Sequence, residues 1–376
     1  MNPVYIVATG SFLPNDPISN DEMESVLGQV GGKPSRGRAI VLRNNGIKAR
    51  HYALDSDKNI THTNAQLVIE ALKKASGNGA LPKNIDVLSC GTSAADQTLP
   101  SHTAMVHGHM DEEMEIISPS GACCTGVQAL KYGFMTIASG LANRAVAAGS
   151  ELISPMMLAR NFESESKSQT DINQNPYIAF EKDFLRWMLS DGAGCAIMDS
   201  QPSGDLNLKI EWIESRSFAN RVDTCMYSAS DINEDGEFKS WKAFTQNEWL
   251  SNSVFAMKQD VKLLRENIVK LGGEFLSEIC KRRGFDVKTL DYFLPHLSSE
   301  FFRQPVLDQL KEDGMDIPNE KCFTNLSRVG NVGSASIYIM LDELIRSGEL
   351  KKGNKILLMI PESARFSYAF ALLTVC

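Results

Sequence analysis

The chain has 376 residues, of which 43% are hydrophobic and 22% charged, a balance typical of a globular protein. Its formal net charge of −8 argues against nucleic-acid binding, and no apolar run approaches the length of a membrane span. The eight cysteines form no C-x-x-C pair, so neither a disulfide framework nor a zinc site is indicated. We therefore expect a cytoplasmic protein with reduced thiols that binds no metal, nucleic acid or membrane.

Apolar runs bounded by turn signals predict strands and helices that alternate along the chain. The predicted strands are residues 4–8, 85–90, 144–148, 206–213 and 290–294. One predicted helix starts at residue 20, and two others cover residues 65–75 and 254–282. This alternation in both parts of the chain predicts an α/β architecture.

Two polar stretches are predicted to be surface segments. Residues 163–174 are expected to form a solvated loop, with a lid over a site as the alternative. Residues 231–242 begin like a calcium-binding EF-hand loop, but Lys242 stands where that loop needs a glutamate, so we expect a polar loop without a metal.

The segment 118–127 combines small residues with the vicinal pair Cys123 and Cys124. Apolar residues follow at helical spacing, so a cysteine is predicted at the start of a mostly buried helix. The first turn of a helix has unpaired N–H groups, which favour a thiolate and can hold a developing oxyanion. The alternative is a buried structural cysteine.

Residues 121–151 and 330–363 repeat the same order of parts. Each stretch begins with glycine and small residues, continues as a predicted helix to a Ser-Gly pair, and then gives a strand that ends near a glutamate. If the halves are duplicates, the loops that carry Cys124 and Asn331 face each other.

His296 follows a predicted strand, where α/β folds often present catalytic groups. An imidazole there could serve a cysteine nucleophile, and a satisfied core histidine is the alternative. Asn331 lies between glycines, where a simple turn is the alternative. The other histidines are predicted to be surface or packing residues: His51, His62, His102, His107 and His109.

Together these motifs resemble the β-ketoacyl-acyl carrier protein synthase III group of the thiolase fold. The motifs are Cys-x-Gly at a helix start, Pro-His after a strand, Gly-Asn-x-Gly-Ser-Ala-Ser, and Ser-Asp-Gly-Ala-Gly from Ser190. The resemblance implies an αβαβα arrangement with five layers and two duplicated halves, residues 1–200 and 201–376. It also implies a homodimeric condensing enzyme that needs no cofactor and takes thioesters of acyl carrier protein or coenzyme A.

The resemblance further implies roles for single residues. Cys124, which is followed by x-Gly, would accept the acyl group, while His296 and Asn331 would polarise the second thioester. The backbone N–H groups of Cys124 and Ala364 would form the oxyanion hole.

Substrate contacts are implied for three further residues. Leu99 would reach the acyl pocket of a dimer partner, and Arg43 would contact the phosphopantetheine arm of the carrier or of coenzyme A. Phe366 would join Ala364 in the substrate-binding loop near the C-terminus. In that loop the glycine run of the family is replaced by residues 362–365, Glu-Ser-Ala-Arg.

Several stretches resemble a subgroup of ketosynthase-cyclases that make dialkylresorcinol and cyclohexanedione precursors. This implies ring closure, for which Glu151 is the candidate acid or base. A capping or solvent-facing carboxylate is the alternative for Glu151. The alternatives for the whole protein are an initiating synthase with a linear product, a non-catalytic partner subunit, and a cysteine hydrolase.

Overall fold

The computed structural model of the protein describes residues 2–35, 37–168, 182–233 and 235–376. Within these ranges the strands are β1 Tyr5–Phe12, β2 Ile18–Ser19, β3 Ala49–Arg50, β4 Val87–Gly91, β5 Glu115–Ile117, β6 Arg144–Glu151, β7 Gly192–Asp199, β8 Leu208–Ser217, β9 Met226–Tyr227, β10 Ser230–Ile232, β11 Phe238–Ser240, β12 Lys258–Gln259, β13 Tyr292–Pro295, β14 Lys355–Glu362 and β15 Ser367–Val375. The α-helices are α1 Met23–Leu27, α2 Arg38–Asn45, α3 Asn64–Ala75, α4 His102–His107, α5 Cys124–Ser139, α6 Glu163–Ser168, α7 Gln246–Ser251, α8 Val261–Arg283, α9 Arg303–Glu312, α10 Leu326–Val329 and α11 Ser336–Arg346. The predicted α/β class is confirmed.

Nine of these strands form one mixed sheet in the order β13-β14-β15-β8-β1-β7-β6-β4-β5. Strands before residue 200 and strands after it occupy separate ends of the sheet, and β1 joins them by pairing with β8 at Tyr5 and Ile6. In the first group, β6 follows a helix and pairs antiparallel with β7, the next strand along the chain. In the second group, β14 follows a helix and pairs antiparallel with β15 in the same way. The boundary between two duplicated halves at residue 200 stays a prediction.

Helices α5 and α11 lie between the two ends of the sheet. Helix α5 contacts β4 and β6 as well as β14 and β15, and α11 contacts β1 and β7 as well as β13. Val127 and Leu130 of α5 share one buried cluster with Ile337 and Leu341 of α11. Helix α3 packs on β1 and β7 in a separate core, and α8 packs on β14 and β15. This is the helix–strand–helix–strand–helix layering that the resemblance predicts.

Capping side chains explain where two of the outer helices begin. The Thr63 side chain accepts the backbone N–H of Gln66, and the Gln66 side chain accepts the backbone N–H of Thr63, so α3 starts with a capping box. Asp260 accepts two N–H groups of the first turn of α8. Helix α8 therefore begins at Val261, and the prediction of a helix from residue 254 is wrong at its start.

The two polar stretches have more regular structure than the sequence indicates. Residues 163–168 form α6, and the rest of the predicted loop, residues 169–174, lies outside the described residues. The EF-hand-like stretch contains the antiparallel pair β10 and β11, and the Phe238 ring packs edge-on against Tyr227 at 5.1 Å between centroids. The prediction of an irregular polar loop is wrong here, because the stretch has an apolar neighbour on which to fold.

The segment from Ser190 to Gly192 connects the two loops around the site. The buried carboxylate of Asp191 accepts the N–H groups of Ala53, Ile153 and Ser154 at 2.7 to 2.9 Å. The Ser190 N–H donates to the carbonyl oxygen of Asn331 at 2.9 Å. A buried carboxylate with several donors fixes the chain in one arrangement, so this segment sets the position of Asn331.

Candidate active site

A cavity of about 40 Å³ lies where α5, the end of β6 and the Asn331 loop meet. Its polar lining includes Ser93, Cys123, Glu151, Gln259, Ser298, Asn331 and Ser363. Its apolar lining includes Ile153, Leu185, Leu189, Met226 and Met257. A thiol, a carboxylate and an amide therefore line one small space beside an apolar surface, which is the usual make-up of a ligand site.

The two adjacent cysteines have different surroundings. Cys123, in the N-cap position of α5, is partly exposed and lines the cavity. Cys124 is 2% exposed, and its Sγ donates to the carbonyl oxygen of Ile360 at 3.3 Å. Consecutive residues of a helix point about 100° apart, so only one of two neighbours can face a given space. Cys124 therefore does not line this cavity, and its role as the acyl acceptor stays a prediction.

The backbone N–H of Cys124, predicted as an oxyanion donor, is already engaged. It donates to Oε2 of Glu362 at 2.9 Å, and the Ala122 N–H donates to the same oxygen at 3.1 Å. The second predicted donor is Ala364. Its loop is held in place because the Ala364 carbonyl oxygen accepts the N–H groups of Cys225 and Met226. Sequence reasoning noticed the unusual residues of this loop but missed the contact of Glu362 with α5.

Asn331 lies on the cavity, as its predicted role requires. Its N–H donates to the Met188 carbonyl at 3.0 Å, and its Oδ1 accepts the Gly333 N–H at 3.0 Å. Within the described residues its Nδ2 donates no hydrogen bond. The amide is therefore fixed by its backbone and its oxygen, while the nitrogen remains a donor for a ligand oxygen.

His296 directly follows β13 and does not line the cavity. Its N–H donates to the Met359 carbonyl at 2.8 Å, one residue before the carbonyl that accepts the Cys124 thiol. The ring is 2% exposed, and within the described ranges its Nε2 has no hydrogen-bond partner. Burial lowers the pKa of His296 to about 4, so the imidazole is neutral at physiological pH. A buried ring nitrogen without a partner is rare and typical of a group that meets a ligand.

Glu151 ends β6 and points inward, which excludes the solvent-facing alternative. Its Oε2 accepts the Ser93 hydroxyl at 2.6 Å, and its Oε1 accepts the Ser334 N–H at 3.1 Å. Burial raises the pKa of Glu151, although the hydrogen bonds from Ser93 and Ser334 oppose that change. Sequence reasoning missed Ser93, because a serine in a loop of small residues carries no distinctive signal.

The other predicted contacts do not line this cavity. Leu99 is 84% exposed, and Arg43 is exposed on α2. Phe366 is fully buried in the core around α8 at a φ of 55°, which corrects its expected place in the substrate site. Ala364 is half-buried two residues away.

The described ranges contain neither a cluster of metal ligands nor a membrane-spanning helix. No group of three or more histidine, cysteine or acidic residues there could hold a metal ion. None of the helices there combines the length and the apolar character that crossing a membrane requires.

Comparisons with known proteins agree with this arrangement. Residues 280–369 match the C-terminal family model of 3-oxoacyl-[acyl-carrier-protein] synthase III. The chain is 26% identical over 361 residues to β-ketoacyl-[acyl-carrier-protein] synthase III of Clostridium perfringens, covering 96% of this chain and 95% of the relative. It is 25% identical over 352 residues to the synthase of the same name from a Ruegeria species, covering 93% of each chain.

Solved structures show the same fold over nearly the whole chain. A tetronic acid condensing enzyme, AbyA1, superposes with a TM-score of 0.77 at 19% identity, covering 99% of each chain. OleA of Xanthomonas campestris with bound lauric acid and lauroyl-CoA gives 0.75 at 19% identity, covering 100% of this chain and 99% of that one. The synthase III of Aquifex aeolicus gives 0.68 at 20% identity, covering 99% of both. The chain therefore has the thiolase fold and is similar over nearly its whole length to β-ketoacyl-[acyl-carrier-protein] synthase III, a condensing acyltransferase.

Proposed function

We propose that this enzyme joins two acyl groups, both supplied as thioesters of acyl carrier protein or coenzyme A, and closes the product into a six-membered dione. The observation that carries the proposal is the convergence of Cys123, Glu151 and Asn331 on one apolar-lined cavity. The synthase III relatives are named for an acyl-carrier-protein substrate, and OleA was solved with an acyl-coenzyme A, which supports thioesters as substrates.

Cys124 is the acyl acceptor in this proposal, because it is the cysteine of the Cys-x-Gly motif and the first residue of α5. Its sulfur would attack the thioester carbonyl carbon, and the carrier thiol would leave with a proton while the acyl group stays on the enzyme. The Cys124 thiol donates to the Ile360 carbonyl, and the His296 N–H donates to the adjacent Met359 carbonyl, so both residues contact the same part of β14. Cys123, which lines the cavity, is the alternative acceptor.

Asn331 and His296 would hold the oxygen of the second thioester. The Nδ2 of Asn331 and the neutral ring of His296 each have a donor or acceptor without a protein partner in the described part of the chain. Hydrogen bonds to the enolate oxygen favour loss of the α-proton, and the resulting carbanion can then attack the acyl group on the cysteine. That attack forms a carbon–carbon bond and returns the cysteine thiolate.

The apolar surface offers a path for the acyl chains. A second small cavity adjoins the first and shares Ile153, Leu185, Leu189 and Met257 with it. At about 40 Å³ the main cavity is far below the roughly 300 Å³ or more that holds a drug-sized ligand. Chains of any length therefore require side chains to move, and the flexible methionines Met226 and Met257 are suited to such movement.

Ring closure needs a group that moves protons between carbons. Glu151 lies on the cavity with its pKa raised by burial, so its carboxyl can both take and give a proton nearer neutral pH. We propose a β-ketoacyl thioester and an α,β-unsaturated acyl thioester as the substrates. One carbon–carbon bond would form at the acyl carbonyl, and the other by addition to the double bond, with a proton returned to the α-carbon. Water would then hydrolyse the remaining thioester, which releases the second carrier thiol and frees the cyclic product as its carboxylate.

The same proposal includes a homodimer, as the resemblance implies. In it Leu99, which is 84% exposed on the loop after β4, would enter the acyl pocket of a neighbouring copy.

Mass spectrometry of the products tests the ring-forming reaction. Wild-type enzyme and Glu151→Gln are incubated with a β-ketoacyl thioester and an enoyl thioester together. The wild type is expected to release a free cyclic dione or its carboxylate, whereas the variant, which cannot move protons at this position, is expected to stop at a linear product.

Thermal melting of Glu151→Gln provides the control, because the amide oxygen can still accept the Ser334 N–H while the amide NH2 donates to the Ser93 hydroxyl oxygen, which should preserve the fold. A wild type that yields only a carrier-bound linear β-ketoacyl product would contradict ring closure and indicate an initiating synthase.

A further inference from the structure

A buried ion pair lies at the end of the second cavity, opposite the walls that it shares with the first. The residues that line the second cavity but not the first are Met156, Met157, Phe162, Lys182 and Arg186. The Nζ of Lys182 donates to Oε1 of Glu165 in α6 and, at 3.0 Å, to the Asn252 carbonyl. Lys182 and Glu165 are each 9% exposed. The space that continues from the candidate active site therefore ends at two charged groups that are paired with each other.

Stability alone does not account for a buried pair of this kind. Taking two charges out of water costs about as much free energy as their attraction returns, so apolar residues of the same size are often equally or more stable there. Separating the partners, in contrast, strongly destabilises a protein, because it leaves a buried charge without compensation. The Lys182–Glu165 pair is therefore better explained as a rigid wall than as a source of stability.

The side walls of the second cavity differ from its end. Met156, Met157 and Met257 line it with unbranched, flexible side chains that adapt to whatever packs against them. An entering chain can displace a methionine at little cost, but it can displace Lys182 only by leaving Glu165 unpaired. The cavity can therefore widen along its sides, whereas its length is fixed.

The two cations that line the cavity already have protein partners. Besides the bonds of Lys182, the Nε of Arg186 donates to the Met157 carbonyl at 2.9 Å, and its Nη1 lies 3.2 Å from Oδ1 of Asp183. Long cationic side chains commonly cover apolar surface with their alkyl stems while the charged head is held elsewhere. The end of the cavity therefore suits an uncharged, apolar group.

We propose that the Lys182–Glu165 pair limits the length of the acyl chain: the apolar end of the chain lies in the second cavity, and the pair sets the longest chain that fits. This inference rests on the proposed function and deepens it, since it names acyl chains of limited length with an uncharged end as the substrate class. Lys182 is then a specificity-determining residue that does not touch the reacting atoms.

Two double substitutions separate the volume of the pair from its charge. Lys182→Ala with Glu165→Ala removes both, whereas Lys182→Met with Glu165→Gln keeps nearly the same volume without the charges. Neither leaves a single buried charge unpaired, so both should fold, which thermal melting checks. Lys73→Ala with Glu70→Ala, which removes a partly exposed ion pair of α3 at 2.7 Å, is the matched control.

Calorimetry with S-alkyl-coenzyme A thioethers of graded length measures binding without acyl transfer. For the wild type we expect the dissociation constant to fall roughly fourfold with each added methylene, the factor that corresponds to burying one CH₂, until the chain end reaches the pair, and then to rise. The same limit is expected for the control and for the methionine–glutamine variant. In the double alanine variant the limit should move to chains roughly two to four carbons longer, about the length of the lysine stem that is removed.

A thioether that ends in a carboxylate tests the apolar character of the site. It should bind the wild type more weakly than the alkyl thioether of the same length, because Glu165 already neutralises Lys182. Tighter binding that is lost in the methionine–glutamine variant would make the pair a recognition site for acidic chains and would overturn the inference.

An unchanged length limit in the folded double alanine variant, or a wild-type affinity that does not depend on chain length, would also overturn it. Because thioether binding requires neither acyl transfer nor condensation, an enzyme that shows the expected length limit but makes no carbon–carbon bond would refute the proposed function alone.

Discussion

Replacing Cys124 with alanine should abolish the acyl-enzyme, whereas replacing Cys123 should leave most of it intact. Cys124 is the cysteine of the Cys-x-Gly motif and the first residue of α5, and its thiol contacts the β14 carbonyl next to the one that accepts the His296 N–H. Without this sulfur no covalent intermediate can form.

Intact-protein mass spectrometry after incubation with an acyl thioester measures this difference. Cys124→Ala should show no adduct mass, and Cys123→Ala should show an adduct at a level near that of the wild type. The two variants are each other's control, since they remove the same atom from adjacent residues of one helix start. An adduct that persists in Cys124→Ala and vanishes in Cys123→Ala would make Cys123 the acyl acceptor instead.

The second large effect is expected from His296 and Asn331. His296→Ala and Asn331→Ala should still load an acyl group, more slowly for His296, but condensation should fall by roughly 100-fold or more, as when one oxyanion donor is lost. Because burial lowers the pKa of His296 to about 4, its protonation should not weaken condensation until the pH approaches that value.

Single-turnover kinetics separate the two steps. The enzyme is first loaded with one thioester and then mixed with a second, and the decay of the adduct is followed together with the carbon–carbon product. His62→Ala is a suitable control, because that histidine lies on the exposed side of the 51–64 segment against Phe12, far along the chain from the site. Normal product formation by His296→Ala or Asn331→Ala would remove these residues from the mechanism.

The sequence was sufficient to predict the α/β class, the strands β1, β4, β6, β8 and β13, and the approach of the Asn331 loop to α5, but it did not indicate the long strands β7 and β15. Periodic apolar residues mark α3, α5 and the strands, because burial on one face is a local property of the sequence. The start of α8 was predicted too early, because the helix begins where the single side chain of Asp260 caps it, and the spacing of apolar residues does not mark that position.

The orientation of the cysteine pair could not be predicted in the same way. Cys123 and Cys124 have the same chemistry and adjacent positions, so a shift of the helix start by one residue exchanges their directions. Residues distant in sequence contact this segment: Glu362 accepts the Cys124 N–H, and the Ile360 carbonyl accepts the Cys124 thiol. A motif shared with a family records spacing, but it does not record these contacts.

The buried positions of single residues could not be predicted from the sequence either. The sequence did not indicate whether Glu151 points inward. The hydrogen bonds that its carboxylate accepts from Ser93 and Ser334 show that it does. Phe366 was expected at the substrate, but its ring lies in the core around α8. Both outcomes depend on backbone geometry at the ends of strands, where sequence patterns are weakest.

The most direct test of the account follows a labelled acyl group through the wild-type enzyme. A thioester with ¹³C at the carbonyl carbon is incubated with the protein, the adduct is located by peptide mass spectrometry, and a second thioester is then added. The account predicts label on Cys124, followed by its transfer into a carbon–carbon-bonded product. Release of the label only as the free acid, as a cysteine hydrolase would give, or the absence of any adduct, as in a non-catalytic subunit, would contradict it.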